Sequence, residues 1–410
     1  MSKSISSHKS GRSGLLILIA LVSLACAPAL AGVKTGLDVL VEQGLAPLAG
    51  KRVGLITNHT AITHDRRHII DVFTSSPSVK LTAIFTPEHG LQGNMQGDVP
   101  SSKHEPSGVP IYSLHQKGLY RPTTEMMANV DALVYDIQDI GARFYTYITT
   151  LGYAIEAAAG KGIPIYVLDR PNPINGVSVE GPLADERHLR EHPFVAYMRM
   201  PIRHGMTVGE LARMYNAEKK LGADLHVVAM EGWTRQMWFD ETGLEWVNQS
   251  PNIRSLTQAT LYPGVCLLEG RIVWVKGGAD PPFQMIGAPF FKAPELADCL
   301  NERRVPGVRF VPRRFSPTGG VCAGQECDAV EMLLLDRNAL NSVLLGVELL
   351  SAVVRFYPDH LPIAAIDRLL GDESSAARIQ AGEDPRRIVQ SWETGLAAFR
   401  KMRSNYLLYK

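Results

Sequence analysis

Cysteine is scarce, five in 410 residues, so at most two disulfides could form. Acids and bases nearly cancel at a net charge of +1, so nothing electrostatic favours a nucleic-acid partner. Beyond residue 31 no apolar run approaches bilayer length, and no membrane span is expected in the mature chain. Internal repeats and low-complexity tracts are also missing. No G-x-G-x-x-G follows the first strand, which removes support for a dinucleotide site. The chain also lacks G-x-x-x-x-G-K-[S/T] and the G-x-S-x-G elbow. His64 and His68 stand four apart without the glutamate of H-E-x-x-H, the pattern of a solvated helix face. No metal or cofactor is expected.

What is present suits a soluble globular protein. Hydrophobic residues make up 45% and charged residues 20%, which argues against disorder. The length predicts two domains. The first 31 residues form a leader. A basic stretch with Lys3, Lys9 and Arg12 precedes the apolar run "LLILIALVSLA", and Ala29-Leu30-Ala31 has the small-x-small pattern of a signal-peptidase site. Export to the periplasm follows, with Gly32 as the mature N-terminus. Cys26 offers lipoprotein anchoring instead, but Ser23 and Leu24 make a poor lipobox. Four cysteines remain: Cys266, Cys299, Cys322 and Cys327. They are either buried thiols or, for Cys322 and Cys327, the closure of a small loop.

Residues 32–250 alternate apolar runs with helical patterns. The runs are "RVGLIT" (52–57), "KLTAIF" (80–85), "DALVYDIQ" (131–138), "IPIYVLD" (163–169) and "DLHVVAM" (224–230). Helices are predicted at 66–75, 147–162 and 207–222. The last has a capping box in Thr207 and Glu210, and Gly222 as its terminator. This alternation predicts α/β architecture, a Rossmann-like doubly wound parallel sheet. Residues 251–410 begin with a stretch rich in proline and glycine, then alternate helix and strand. They predict a second, smaller α+β domain, with an active-site cleft between the two.

Ligands of such sheets bind beyond the carboxyl ends of the strands. Four polar tips are expected there. They are Asn58-His59-Thr60, Glu88-His89, Asp139 to Tyr147, and Arg170 to Pro173. Four such tips together, with acids, amides, arginine and tyrosine, favour a site.

The stretches "RVGLITNHT", "FTPEHGLQG", "YDIQDIGARFYTYITTL", "VLDRPNPINGVSVEGP", "PIRHGMTVGELA", "SPN" and "YPGVCLLEG" carry a family likeness. From about Gly36 to the C-terminus the chain resembles the NamZ-type exo-β-N-acetylmuramidases. The resemblance implies a Rossmann-like domain, a smaller second domain, and release of N-acetylmuramic acid from non-reducing ends of peptidoglycan fragments during wall turnover. It points to Glu88 as the catalytic acid, with His89 beside it. Glycoside cleavage needs an acid to protonate the leaving oxygen and usually a second carboxylate. Asp139, Asp136 and Glu269 are candidates for it, and the substrate's own 2-acetamido group is a further possibility. Arg143 is expected to read the lactyl carboxylate of muramic acid, with Arg170 and Arg203 behind it. Tyr145 and Tyr147 offer stacking faces. Asn58, Asn172, His204 and Asn252 offer hydrogen bonds to hydroxyls.

One loop departs from the family. Where members typically continue Thr-Asn, then Gly-Arg-Gly-Thr and Pro-Phe-Glu, residues 271–284 read "RIVWVKGGADPPFQ". Gly277 replaces the arginine, Ile272 the asparagine and Gln284 the glutamate, while Arg271 and Lys276 are new cations. The departure supports an alternative: a catalytically altered member that binds muropeptides or glycans, or one that hydrolyses another N-acetylhexosaminide.

Overall fold

The computed structural model describes residues 1, 2, 4, 32–116, 118–270 and 272–410. The rest of the expected leader, Cys26 included, and Arg271 lie outside the described residues. Residues Gly32–Lys410 form one compact unit.

Seven strands build the main sheet: β1 (Arg52–Thr57), β2 (Lys80–Thr86), β3 (Ser102–Lys103), β4 (Pro110–Ser113), β5 (Ala132–Asp136), β6 (Ile165–Leu168) and β7 (Leu225–Val228). Their spatial order is β3-β4-β2-β1-β5-β6-β7. All neighbours run parallel except the short edge pair β3 and β4. This is the doubly wound order expected, with an antiparallel strand added at one edge. Its switch point falls between β1 and β5.

Side chains of β1 and β2 alternate between two cores, as a pleated strand requires. Leu55 and Ile84 enter the core on one face. Ile56 and Phe85 enter the core on the other. The second core does not stop at the sheet. It continues through Leu261, Val265, Leu345 and Leu349 of the following lobe, so both lobes share one apolar interior.

That lobe carries β8 (Met285–Ala288), β9 (Val308–Phe315) and β10 (Cys327–Leu334) as an antiparallel sheet in the order β8-β10-β9. β8 lies in the stretch read from sequence as irregular. So does the helix Leu256–Val265, which tolerates Pro263 in its last turn. Gly264 is needed there, because a Cβ would stand 1.9 Å from the Ser342 carbonyl oxygen on the helix Ser342–Phe356. The capping box of Thr207 and Glu210 is present. That helix closes at Glu218, before Gly222. Cys266, Cys322 and Cys327 are buried thiols, Cys299 is partly buried, and all four are free.

The chain end returns to the main sheet. Tyr409 donates to Asp169 at 2.5 Å, and Arg403 donates to the Gly205 carbonyl at 2.7 Å. No described helix is long and apolar enough to cross a membrane.

Candidate active site

A cleft of about 200 Å³ opens between the tips of the main sheet and the second lobe. The sheet supplies Glu88, His115, Tyr145 and Thr146, and the second lobe supplies Tyr262, Glu269, Lys276 and Arg368.

Glu88 follows β2 and the turn residue Pro87. Its Oε2 accepts a 2.6 Å hydrogen bond from the Thr146 hydroxyl. Thr146 is the N-cap of the helix Tyr147–Lys161, but its side chain caps no backbone N–H there. The hydroxyl serves the glutamate instead. His115 Nε2 lies 3.8 Å from Glu88 Oε1, and its ring packs on Phe194 with centroids 5.4 Å apart. His89 holds a left-handed backbone at φ 71°, which costs a non-glycine residue roughly 1–2 kcal/mol. Its Nδ1 meets the Met95 carbonyl at 2.7 Å. Burial pushes the His89 pKa below its ordinary value, although Glu88 and the Met95 carbonyl oppose the change.

Opposite stand Glu269 and Lys276, paired at 2.9 Å. Burial works against the lysine charge, but Glu269, Cys266 and Glu88 outweigh it, and its pKa lies above the ordinary value. Burial, reinforced by Glu269, drives the Cys266 thiol well above its usual range. Cys266 donates to Glu269 at 3.2 Å.

Among the expected residues, the structure brings Glu88, His89, Tyr145, Asn252 and Glu269 to this cleft. Tyr145 packs edge-on against Tyr147 and Tyr262.

The others serve a buried polar layer at the switch point, where loops cover the strand tips. Asp136 is fully buried and ion-paired with Arg170. Asp139 accepts from the Gly141 amide at 2.7 Å and lies 3.7 Å from buried His204. Asn58 accepts from the Thr60 amide and hydroxyl at 3.0 and 2.6 Å. Asn172 donates to the Met206 carbonyl at 3.0 Å. Arg203 pairs with Glu180 at 2.7 Å. The space left beside Arg170 is about 30 Å³, room for little more than water.

Arg143 is the largest correction. Its guanidinium does not line the cleft. It donates to the carbonyls of Pro182, Met200, Leu369 and Leu370 at 2.7–3.2 Å. Burial lowers its pKa to about 10. An arginine offered four carbonyl acceptors in the interior ties loops together rather than meeting substrate.

Sequence reasoning missed His115, Thr146 and Arg368. His115 follows β4, and "VPIYSL" was a readable apolar lead-in partly disguised by Pro110. Nothing local marks Arg368. The departed loop also gains a reason. Gly277 and Gly278 have φ values of 88° and 71°, and a Cβ on Gly278 would lie 1.8 Å from the Gly319 amide. Trp274 closes the loop by donating to the Gly277 carbonyl at 2.7 Å.

A doubly wound sheet with a strand-end glutamate, facing a second carboxylate across a cleft, defines a two-lobed α/β enzyme of the glycoside hydrolase type. The comparisons are specific. Residues 53–257 match the model for the N-terminal part of the exo-β-N-acetylmuramidase NamZ, and residues 260–409 match that for its C-terminal part. The chain belongs to the NamZ family. It is 41% identical over 382 residues to the peptidoglycan β-N-acetylmuramidase NamZ of Bacillus subtilis (strain 168), covering 92% of this chain and 91% of that one. A crystal structure of a DUF1343 family protein from Bacteroides fragilis NCTC 9343 superposes with a TM-score of 0.85 at 37% identity, covering 92% of this chain and 99% of that one. A second such protein from the same organism gives 0.74 at 28% identity, covering 93% and 99%.

Proposed function

We propose that the chain is an exo-acting glycosidase that releases N-acetylmuramic acid from the non-reducing ends of peptidoglycan fragments. The observation that carries this reading is Glu88, aimed by Thr146 into the cleft of a chain 41% identical to a peptidoglycan β-N-acetylmuramidase.

Glu88 gives its proton to the glycosidic oxygen as the bond to the anomeric carbon breaks. Water supplies the hydroxyl that ends on that carbon, and its proton restores the acid. Of the acids considered for the second carboxylate, Glu269 is the one lining the cleft. Thr146 orients Glu88, while His115 stands beside it at 3.8 Å and His89 lines the cleft next to it.

Export to the periplasm is part of the proposal. Its support is the leader pattern, together with a compact unit that begins at Gly32. Mass spectrometry of the mature protein should find Gly32 first. An intact Met1 or an acylated Cys26 would refute this.

The function is tested with a chromogenic β-N-acetylmuraminide beside the matching β-N-acetylglucosaminide. Release from the muraminide is expected to dominate. Binding without turnover of either would favour the catalytically altered reading, for which the departed loop is the motive.

A further inference from the structure

Muramic acid differs from glucosamine by a lactyl ether on O3, which ends in a carboxylate. An enzyme that distinguishes the two sugars needs a cation near the reacting end of its cleft. The three arginines suggested by sequence are committed elsewhere. Arg143 serves four carbonyls, Arg170 serves Asp136, and Arg203 serves Glu180.

We infer that Lys276 is the residue that recognises the substrate carboxylate, with Glu269 positioning its ammonium group. This rests on the muramidase reading of the cleft. Several observations converge on it. The Lys276 side chain is 39% exposed, at the cleft wall. Glu269 takes one of its three N–H donors at 2.9 Å and leaves the others for a ligand. Lys276, Glu88 and His89 line the same cleft, so the cation and the acid face one bound ligand. Geometry of the sugar agrees, because O3 lies only two ring carbons from the anomeric centre. Arg368, the neighbouring cation, already donates to the Glu269 backbone carbonyl at 2.5 Å. That bond fixes Arg368 to the backbone that carries Glu269, whereas Lys276 meets the Glu269 carboxylate itself.

The loop is built to place this lysine. Trp274 is fully buried and stacks edge-on against Phe315 at 4.9 Å. Thr318 donates to the Gly278 carbonyl through its amide at 2.8 Å and its hydroxyl at 3.0 Å. Both anchors flank Lys276, so its backbone is held while its head group faces the cleft.

Binding is measured by calorimetry on the mature protein with three ligands: N-acetylmuramic acid, its lactyl methyl ester, and N-acetylglucosamine. Wild type should prefer the acid over the ester by about 10- to 100-fold, the usual value of a hydrogen bond to a charged group. Lys276→Met should erase that preference and leave N-acetylglucosamine binding within about twofold. Lys276→Arg should restore part of it, since the charge returns. Wild type that binds acid and ester equally would overturn the inference without any variant. A Lys276→Met protein that keeps the preference would overturn it too. Failure of the muramidase reading is separate, because it is seen as absent muraminide turnover while these affinities are still measured.

Discussion

Arg143 donates to the carbonyl oxygen of Leu369 at 2.7 Å, and this bond joins the tip of the main sheet to the second lobe. Leu369 itself lines the cleft, as does Arg368 before it. The arginine therefore sets the position of one cleft wall from behind.

Replacing Arg143 with methionine should lower stability rather than change sugar preference. Four buried carbonyls would lose a charged donor, and leaving buried polar groups unpaired costs about 1–3 kcal/mol each before relaxation. Thermal unfolding should shift down by several degrees. The ratio of kcat/KM for muraminide to glucosaminide should stay within about twofold. A selective loss on the muraminide would return Arg143 to the cleft.

Glu88→Gln preserves shape and removes the transferable proton. Turnover should fall by about 10²- to 10⁴-fold, with the melting temperature little changed, since the side chain is part exposed. Steady-state rates on the chromogenic muraminide check this, and full activity in a folded Glu88→Gln protein would remove the glutamate from the mechanism.

Thr146→Val deletes the hydroxyl that donates to Glu88 at 2.6 Å. The expected drop in kcat is about tenfold, the lower end of what a hydrogen bond to a charged group is worth. KM should hardly move, because the hydroxyl aims the acid and does not bind the sugar in this scheme. Thr146→Ser should recover most of the rate. A large KM change with constant kcat would contradict the aiming role.

Asp169 gives a pH signature to folding. Burial raises its pKa from 3.8 to about 7, against the pull of Tyr409, Gly209 and Thr207. A raised carboxyl pKa means the native state binds the extra proton between those values. Its stabilising contribution is therefore complete below pH 4 and is lost as pH rises towards 7. The slope is at most about 1.4 kcal/mol per pH unit from this group. Urea midpoints measured from pH 4 to 8 should show the decline, and Asp169→Asn should flatten it. An unchanged slope in that variant would assign the effect to other groups.

Much of the frame was legible because it is made by local interactions. Alternating apolar runs and helical patterns identified five of the six strands in the parallel core, β1, β2, β5, β6 and β7. β4 escaped because Pro110, Tyr112 and Ser113 break the apolar run, and His115 escaped with it. β8 was hidden among prolines and glycines, whose local preference for turns was overridden by pairing with β10. Glu88 was legible because an apolar strand ran straight into Pro-Glu-His-Gly, and chain direction alone places that tip on the ligand-binding rim.

The sequence by itself determined that a doubly wound sheet would form and that Glu88 would stand at the end of a strand. It could not say which cation faces the cleft. Arg143 and Lys276 are both cations in loops, and nothing beside them in the chain states where their charge points. That is decided by partners remote in sequence. Leu369 and Leu370 draw the arginine inward as hydrogen-bond acceptors, and Trp274 and the Gly278–Thr318 contact hold the lysine loop so that its ammonium group meets Glu269 at the cleft wall. A charge can be buried only where such partners satisfy it, so its direction is a property of the packed fold.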